Sequence, residues 1–205
     1  MQQWFLTHSI PTLVIGSCHA SVRLPSLDFD YRSVCRHAAG VFLSKGHRRI
    51  ALIVPDLGLA GDLASEQGFL EAAGPHGRGG DARLAVVRHN GTASDLYRML
   101  DPLFDSPEPP TALVVAKPNH VLRVVFYLLR RGLSVPGKVS LISRDQDSLF
   151  SDDSTPIAHY RFDDKVYSHR LVRLILKLAS TGHLPTEPNL ICPRFFAGST
   201  VKRFA

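Results

Sequence analysis

Three charged residues stand just past two apolar runs. Lys117 follows the run at 112–116, and Arg144 with Asp145 follows the run at 139–143. Apolar runs of this length suit parallel strands covered on both faces. In open α/β sheets, ligands bind beyond the carboxyl ends of the strands. Neighbouring strand ends lie about 5 Å apart, so side chains at positions 117 and 145 are within reach of each other if the two strands are adjacent. Lys117 and Asp145 then pair and close an idle cleft. Alternatively Lys117, with Arg144 nearby, receives an anionic ligand such as a sugar acid or a phosphorylated sugar, a task suited to a compact ammonium. A neutral sugar or nucleoside is the third possibility. Pro118 stands where a helix would begin, a favoured place for proline. That helix would aim its amino end at the same cleft, against the lysine's charge, so something negative should compensate.

Other reactive residue types are weaker pointers. The glycine-rich stretch at 74–81 follows a helix and precedes a strand, the reverse of a phosphate-binding loop. Cys18-His19 and Cys35-x-His37 do not have the spacing of a standard zinc site. Asp152-Asp153 falls in a loop, and Asp163-Asp164 at a helix start, where capping accounts for it. No nucleophile elbow of the G-x-S-x-G type is present. The sequence therefore calls for no cofactor, no metal and no catalytic set, and the expectation is a protein that is not an enzyme.

Strands alternating with helices must position these residues. Asp30 caps a helix with the stripe Val34, Ala38, Val41, Phe42, and Gly46 closes it in a left-handed conformation. His47, Arg48 and Arg49 supply the positive charge favoured at a helix carboxyl end. A strand at 50–54 follows, then a helix at 59–73, a strand at 84–87 and a helix at 92–104. After the strand at 112–116 comes a stripe of Val121, Val124, Val125, Leu128 and Leu129, ending at Gly132. Strands are expected at 139–143 and 157–161. A last helix, capped by Asp163 or Asp164, carries Tyr167, Leu171, Leu174, Ile175 and Leu178 and ends at Gly182. The alternation means an α/β fold with a mostly parallel sheet. Loops are expected at 74–81 and 145–155.

The 205 residues, 44% hydrophobic and 20% charged, suffice for a core. No apolar run reaches the length of a membrane span, and the first residues lack the features of a signal peptide, which points to the cytoplasm. Three cysteines with no close pairing argue against a disulfide framework. A net charge of +6 invites a nucleic-acid reading. The basic residues are scattered, however, and those on the helix after Pro118 (Arg123, Arg130, Arg131) lie off its apolar stripe, as solvated charges do.

Several stretches, in the same order along nearly the whole chain, resemble the effector-binding part of LacI/GalR-type transcription regulators. These are HSIPTLVIGS (8–17), LPSLDFDYRSVCRHAAGVFLSKGHRRIALIV (24–54), GFLEAA (68–73), PTALVVAKPNHVLRVVFYLLRRGLSVPGKVSLISRDQD (110–147) and STPIAHYRFD (154–163). The resemblance implies Rossmann-like, periplasmic-binding-protein-like doubly wound parallel sheets in two lobes, with a small-molecule effector between them. It implies one complete lobe and one that lacks its first strands. By this reading, residues 1–54 form a partial N-terminal lobe leading into the first strand of the C-terminal lobe. Residues 55–155 form the C-terminal lobe, and residues 156–205 cross back. The implied function is effector sensing and dimerisation for a regulator, with operator DNA reached only through a DNA-binding domain that this sequence does not contain. A stand-alone solute-binding module without DNA activity is the alternative. A homodimer and no membrane partner are expected, with apolar edges exposed near 12–15 and on the Val34/Val41 face.

The resemblance also implies where an effector would sit: Gly16 and Ser17 from one lobe, and Ser65, Lys117, Asn119, Arg144 and Asp145 from the other. The chain departs from the family at two of these positions. Ser65 stands where the family usually has an arginine before its glycine-phenylalanine pair, here Gly68-Phe69. Lys117-Pro118 replaces the usual Asn-Asp. Both changes remove groups that in the family hold sugar hydroxyls. Asp145 keeps the family's aspartate.

Overall fold

The computed structural model describes residues 1–74, 80–150 and 157–204. The Asp152-Asp153 pair and much of the glycine-rich stretch lie outside the described residues.

Two sheets form. The smaller is built from β1 (Val14–Ile15), β2 (Ser26–Phe29) and β8 (Asn189–Ile191), in the order β1-β2-β8, all parallel. The larger contains β3 (Arg49–Pro55), β4 (Arg83–His89), β5 (Ala112–Val115), β6 (Ser140–Ser143), β7 (Ala158–Arg161) and β9 (Arg194–Phe196). Its order is β4-β3-β5-β6-β7-β9, parallel except for the antiparallel β7–β9 pair.

The centre of the larger sheet follows from β3. Ile50, Leu52 and Val54 point to one face, Ala51 and Ile53 to the other, and each is buried in a separate core. Burying such a side chain contributes about 1.5–3 kcal/mol. The first face is covered by α2 (Tyr31–Ser44) and α3 (Ala60–Glu71), the second by α4 (Ala93–Phe104) and α5 (Pro118–Arg130). The two covering helices α2 and α3 approach closely at Gly68, where a Cβ would come within 1.9 Å of the Arg32 carbonyl oxygen. The helix α6 (Asp164–Thr181) lies on the smaller sheet, with Tyr167, Leu171, Leu174 and Leu178 against Leu27 and Ile191.

Chain ends and caps agree with the expected signals. Asp30 accepts from the Ser33 amide, Asp163 from the amides of Lys165 and Val166, and Gly46 and Gly182 adopt φ of 90° and 73°. Some elements carry no such signal, among them a short helix α1 (Gln2–Thr7), the strand β2 and the three-residue strands β8 and β9. Two expectations need correction. Val34 is buried and Val41 packs against the same core, because α2 belongs to the larger sheet, so no apolar helix face is left open there. Exposure at the first strand does hold at Ile15, which is 63% exposed. His47 is not part of a solvated charge cluster. It is buried, with Nε2 3.1 Å from the Lys202 carbonyl oxygen and Nδ1 2.8 Å from the Thr111 hydroxyl. Burial lowers its pKa, so the ring is neutral, with Nε2–H donating and Nδ1 accepting.

Among the described residues the chain passes between the sheets three times, after β2, after β7 and between β8 and β9. Phe29 and Phe162, from the first two passages, stack with centroids 3.7 Å apart, and the Asp30 amide donates to the Ile191 carbonyl at 3.0 Å.

Candidate functional site

A cavity of about 360 Å³ opens between the two sheets at the carboxyl ends of their strands. From the smaller sheet come Gly16, Ser17 and Asp28. From the larger come Asp62, Lys117 and Arg144, and Tyr31 stands at the first passage between them. Gly16 follows β1 with φ 124°, a conformation that L side chains rarely adopt, and turns the chain so that Ser17 faces inward. The Ser17 hydroxyl donates to Asp28 Oδ2 at 2.6 Å, and the Phe29 amide donates to Asp28 Oδ1 at 2.8 Å. The α1 helix brings Gln2 to the rim, where its amide donates to the Ser17 carbonyl and accepts from the His19 amide.

Arg144 is the centre of the other wall and is 1% exposed. Its Nε and Nη2 donate to the two carboxylate oxygens of Asp145 at 3.2 and 2.9 Å. Its Nη1 donates to Asp62 Oδ1 at 2.7 Å and to the Ser65 hydroxyl at 2.9 Å. The guanidinium also lies 4.2 Å from the Tyr31 ring centroid. Burial is the largest single influence and works against the charge, but the Asp145 carboxylate, with Cys35 and Tyr31 adding to it, raises the pKa on balance. The same burial raises the Tyr31 phenol, and the negative field of Asp145 adds to it, with smaller contributions from Asp28 and Asp62. Arg144 thus lines the cavity with its donors already engaged by Asp145, Asp62 and Ser65.

Lys117 caps the amino end of α5 without a side-chain hydrogen bond, and Pro118 follows at the first helical position. Its Nζ lies 3.6 Å from Asp62 Oδ1 and is 30% exposed. The expected Lys117–Asp145 pair does not form, because Arg144 occupies Asp145 bidentately and leaves Lys117 to Asp62. Asp62, like Asp28 and Tyr31, is a lining residue to which sequence reasoning gave no role. It sits in the first turn of α3, where an acidic side chain reads as a complement to the helix dipole. Its side chain is 5% exposed and its Oδ2 has no hydrogen-bond partner among the described residues.

The remaining expected positions divide. Ser65 is buried behind the cavity. It donates to the Gly61 carbonyl and accepts from Arg144, so it supports the arginine rather than facing a ligand. Asp145 is partly buried and likewise acts through Arg144. Asn119 is exposed in the first turn of α5 and is not among the residues lining this cavity. A second cavity of about 500 Å³ adjoins the first through Ser17, His19, Tyr31 and Ala60. Among the described residues, no cluster of three or more His, Cys, Asp or Glu forms a metal site, and no helix is long and apolar enough to cross a membrane.

Residues 21–201 match the family model for the periplasmic binding protein-like domain. The HTH-type transcriptional regulator AglR of Rhizobium meliloti is 30% identical over 139 residues, which are 67% of this chain and 38% of that protein. The HTH-type transcriptional repressor CytR of Escherichia coli is 25% identical over 197 residues, 94% of this chain and 57% of that one. The chain therefore spans roughly two fifths to three fifths of these relatives. Among solved structures, a LacI-type regulator of Bacillus cereus subsp. cytotoxis superposes with a TM-score of 0.82 at 18% identity, covering 99% of this chain and 72% of that one. A LacI family regulator of Enterococcus faecium with bound ribose superposes with a TM-score of 0.75 at 17% identity, covering 100% and 75%.

Proposed function

The chain belongs to the periplasmic binding protein-like family, as the effector-binding domain of a LacI-type regulator, and from that premise we propose that it senses a small polar molecule held between its two sheets. The observation that carries this reading is Asp62: a buried carboxylate with one oxygen unmet, lining a cavity shared by both sheets. A buried acceptor without a partner is costly, and folded chains keep few of them without a use. The relative with bound ribose supports a polar ligand in such a cleft.

In this reading the two sheets are two lobes. A ligand joining Ser17 and Asp28 to Asp62 and Lys117 changes the angle between them. The stacked Phe29 and Phe162 lie where that bending occurs. DNA is reached through a separate DNA-binding segment, and the chain works as a homodimer. By itself it has no catalytic part. Of the ligand chemistries suggested by the sequence, the sugar acid and the sugar phosphate lose support, because carboxylates already engage Arg144 and Lys117.

A thermal-shift screen of sugars, nucleosides, amino sugars, sugar acids and sugar phosphates tests the proposal. A true effector at 100 times its dissociation constant adds about 2.7 kcal/mol of stability. A screen in which no class shifts the melt contradicts it.

A further inference from the structure

The charged cluster at the cleft, counted with Asp145 behind Arg144, has an excess of negative charge, and its carboxylates are divided between the lobes. Asp62 projects from the larger lobe and Asp28 from the smaller, and both line the same cavity. Lys117 and Arg144 are its cations, but Arg144 is held bidentately by a third carboxylate, Asp145. Three carboxylates against two cations leave one net negative charge. Asp28 is buried, and its two oxygens are met only by neutral donors, the Ser17 hydroxyl and the Phe29 amide. Among the described residues it has no ion-pair partner. Asp62 offers Oδ2 unmet, while both of its cations approach Oδ1.

Two carboxylates that line one cavity from separate lobes oppose its closure, and the opposition grows as water leaves. A group that donates hydrogen bonds to both and carries positive charge removes it. An ammonium does so with three rotatable donors. An alcohol meets Asp62 Oδ2 but leaves the charge in place. An acid adds to the repulsion.

We infer that the cleft takes a small ligand bearing a protonated amine, whose ammonium group docks between Asp62 and Asp28 and draws the lobes together. This rests on the reading of the cleft as the effector site and adds the chemical class of the effector. Lys117, at the rim and part exposed, bounds the space open to the ammonium. The volume of the cavity suits a short amino alcohol or an amino sugar.

The test uses two matched sets of probes at a pH where the amines are protonated. One set is ethanolamine, ethylene glycol and glycolate, small enough to enter whatever the shape of the cavity. The other is glucosamine, glucose and glucuronate. Calorimetric titration and thermal melts are read for the wild-type chain, for Asp62→Asn and for Asp28→Asn. Asp81→Asn, at an exposed position, is the control. The amines should bind about tenfold or more tightly than their neutral counterparts, and each cleft variant should remove most of that preference. Asp81→Asn should not change it. If Asp62→Asn does not fold, Asp28→Asn decides, because Asp28 pairs with no buried cation. Equal or tighter binding by the alcohols or acids overturns the inference, as does an amine preference that survives both substitutions. Absence of any response to the six probes also overturns it. The effector-site reading falls only if the wider sugar and nucleoside screen is silent too.

Discussion

His47 and Asp62 are buried polar side chains at opposite ends of β3, and the chain treats them differently. His47 stands before the strand. Both of its ring nitrogens have partners from distant segments, Thr111 and Lys202, and its ring lies between Phe42 and Phe204. Asp62 stands after the strand, in a wall shared with another lobe, and one of its oxygens has no partner. The amino end of the strand is thus closed by the chain itself, and the carboxyl end is left one bond short. Polar burial that is fully met specifies structure, whereas polar burial left unmet beside a cavity marks a place for something else.

The comparison breaks most sharply at Arg144, which links Asp62 to the rest of the core. Arg144→Met leaves Asp62 and Asp145 without their buried cation, and breaking a buried pair this way costs about 3–5 kcal/mol. Urea unfolding should show a loss of that size; a loss under about 1 kcal/mol would mean that the carboxylates are hydrated and that the wall is not packed as described. At the other end, His47→Ala removes two hydrogen bonds and a buried ring and should cost about 2–3 kcal/mol by the same measurement. No effect on ligand-induced stabilisation is expected from this change, since His47 does not line the cleft.

Acid titration sharpens the contrast among the histidines. Burial lowers the pKa of His37, His47, His89 and His120 from 6.5, the last to about 4, with His89 beside it adding to the shift. Between those values the unfolded chain binds more protons than the folded one. Stability should therefore be full above about pH 6.5 and fall as the pH drops towards about 4. His120→Phe should flatten the lower part of that decline in a series of melts. A decline that is unchanged in the variant would assign the effect to other groups. The smallest effect is expected from Lys117→Ala. Its pair with Asp62 is long and part exposed, so the free chain should lose less than about 1 kcal/mol.

The central strands were legible because each is a run of apolar residues between turn signals, and the caps at Asp30, Asp163 and Gly182 were legible because their chemistry is local. Two of the missed strands share a physical reason. The strands β8 and β9 are three residues each, too short to show alternation, and proline precedes or follows them at 188 and 193. The cleft was legible as a place and not as a circuit. A lysine and an arginine after strands read as solvated or ligand-facing charges by default. Whether each is free depends on carboxylates brought by other elements. Asp62 comes from α3, while the Tyr31 ring under Arg144 comes from a helix more than a hundred residues away. Local pattern carries no information on the pairing of Lys117 and Arg144 with Asp62, although Asp145, the bidentate partner of Arg144, is its neighbour in sequence.

The most direct test of the account is hydrogen exchange with and without the compound that stabilises the chain most in the screen. The account predicts slowed exchange on both sides of the cleft, at residues 16–19 and 28–31 from the smaller lobe and its passage, and at 60–65 and 117–120 from the larger. Residues 46–50, around His47, should be unchanged. Protection confined to one lobe, or appearing only away from these segments, would contradict the claim that a ligand is sensed between the two sheets.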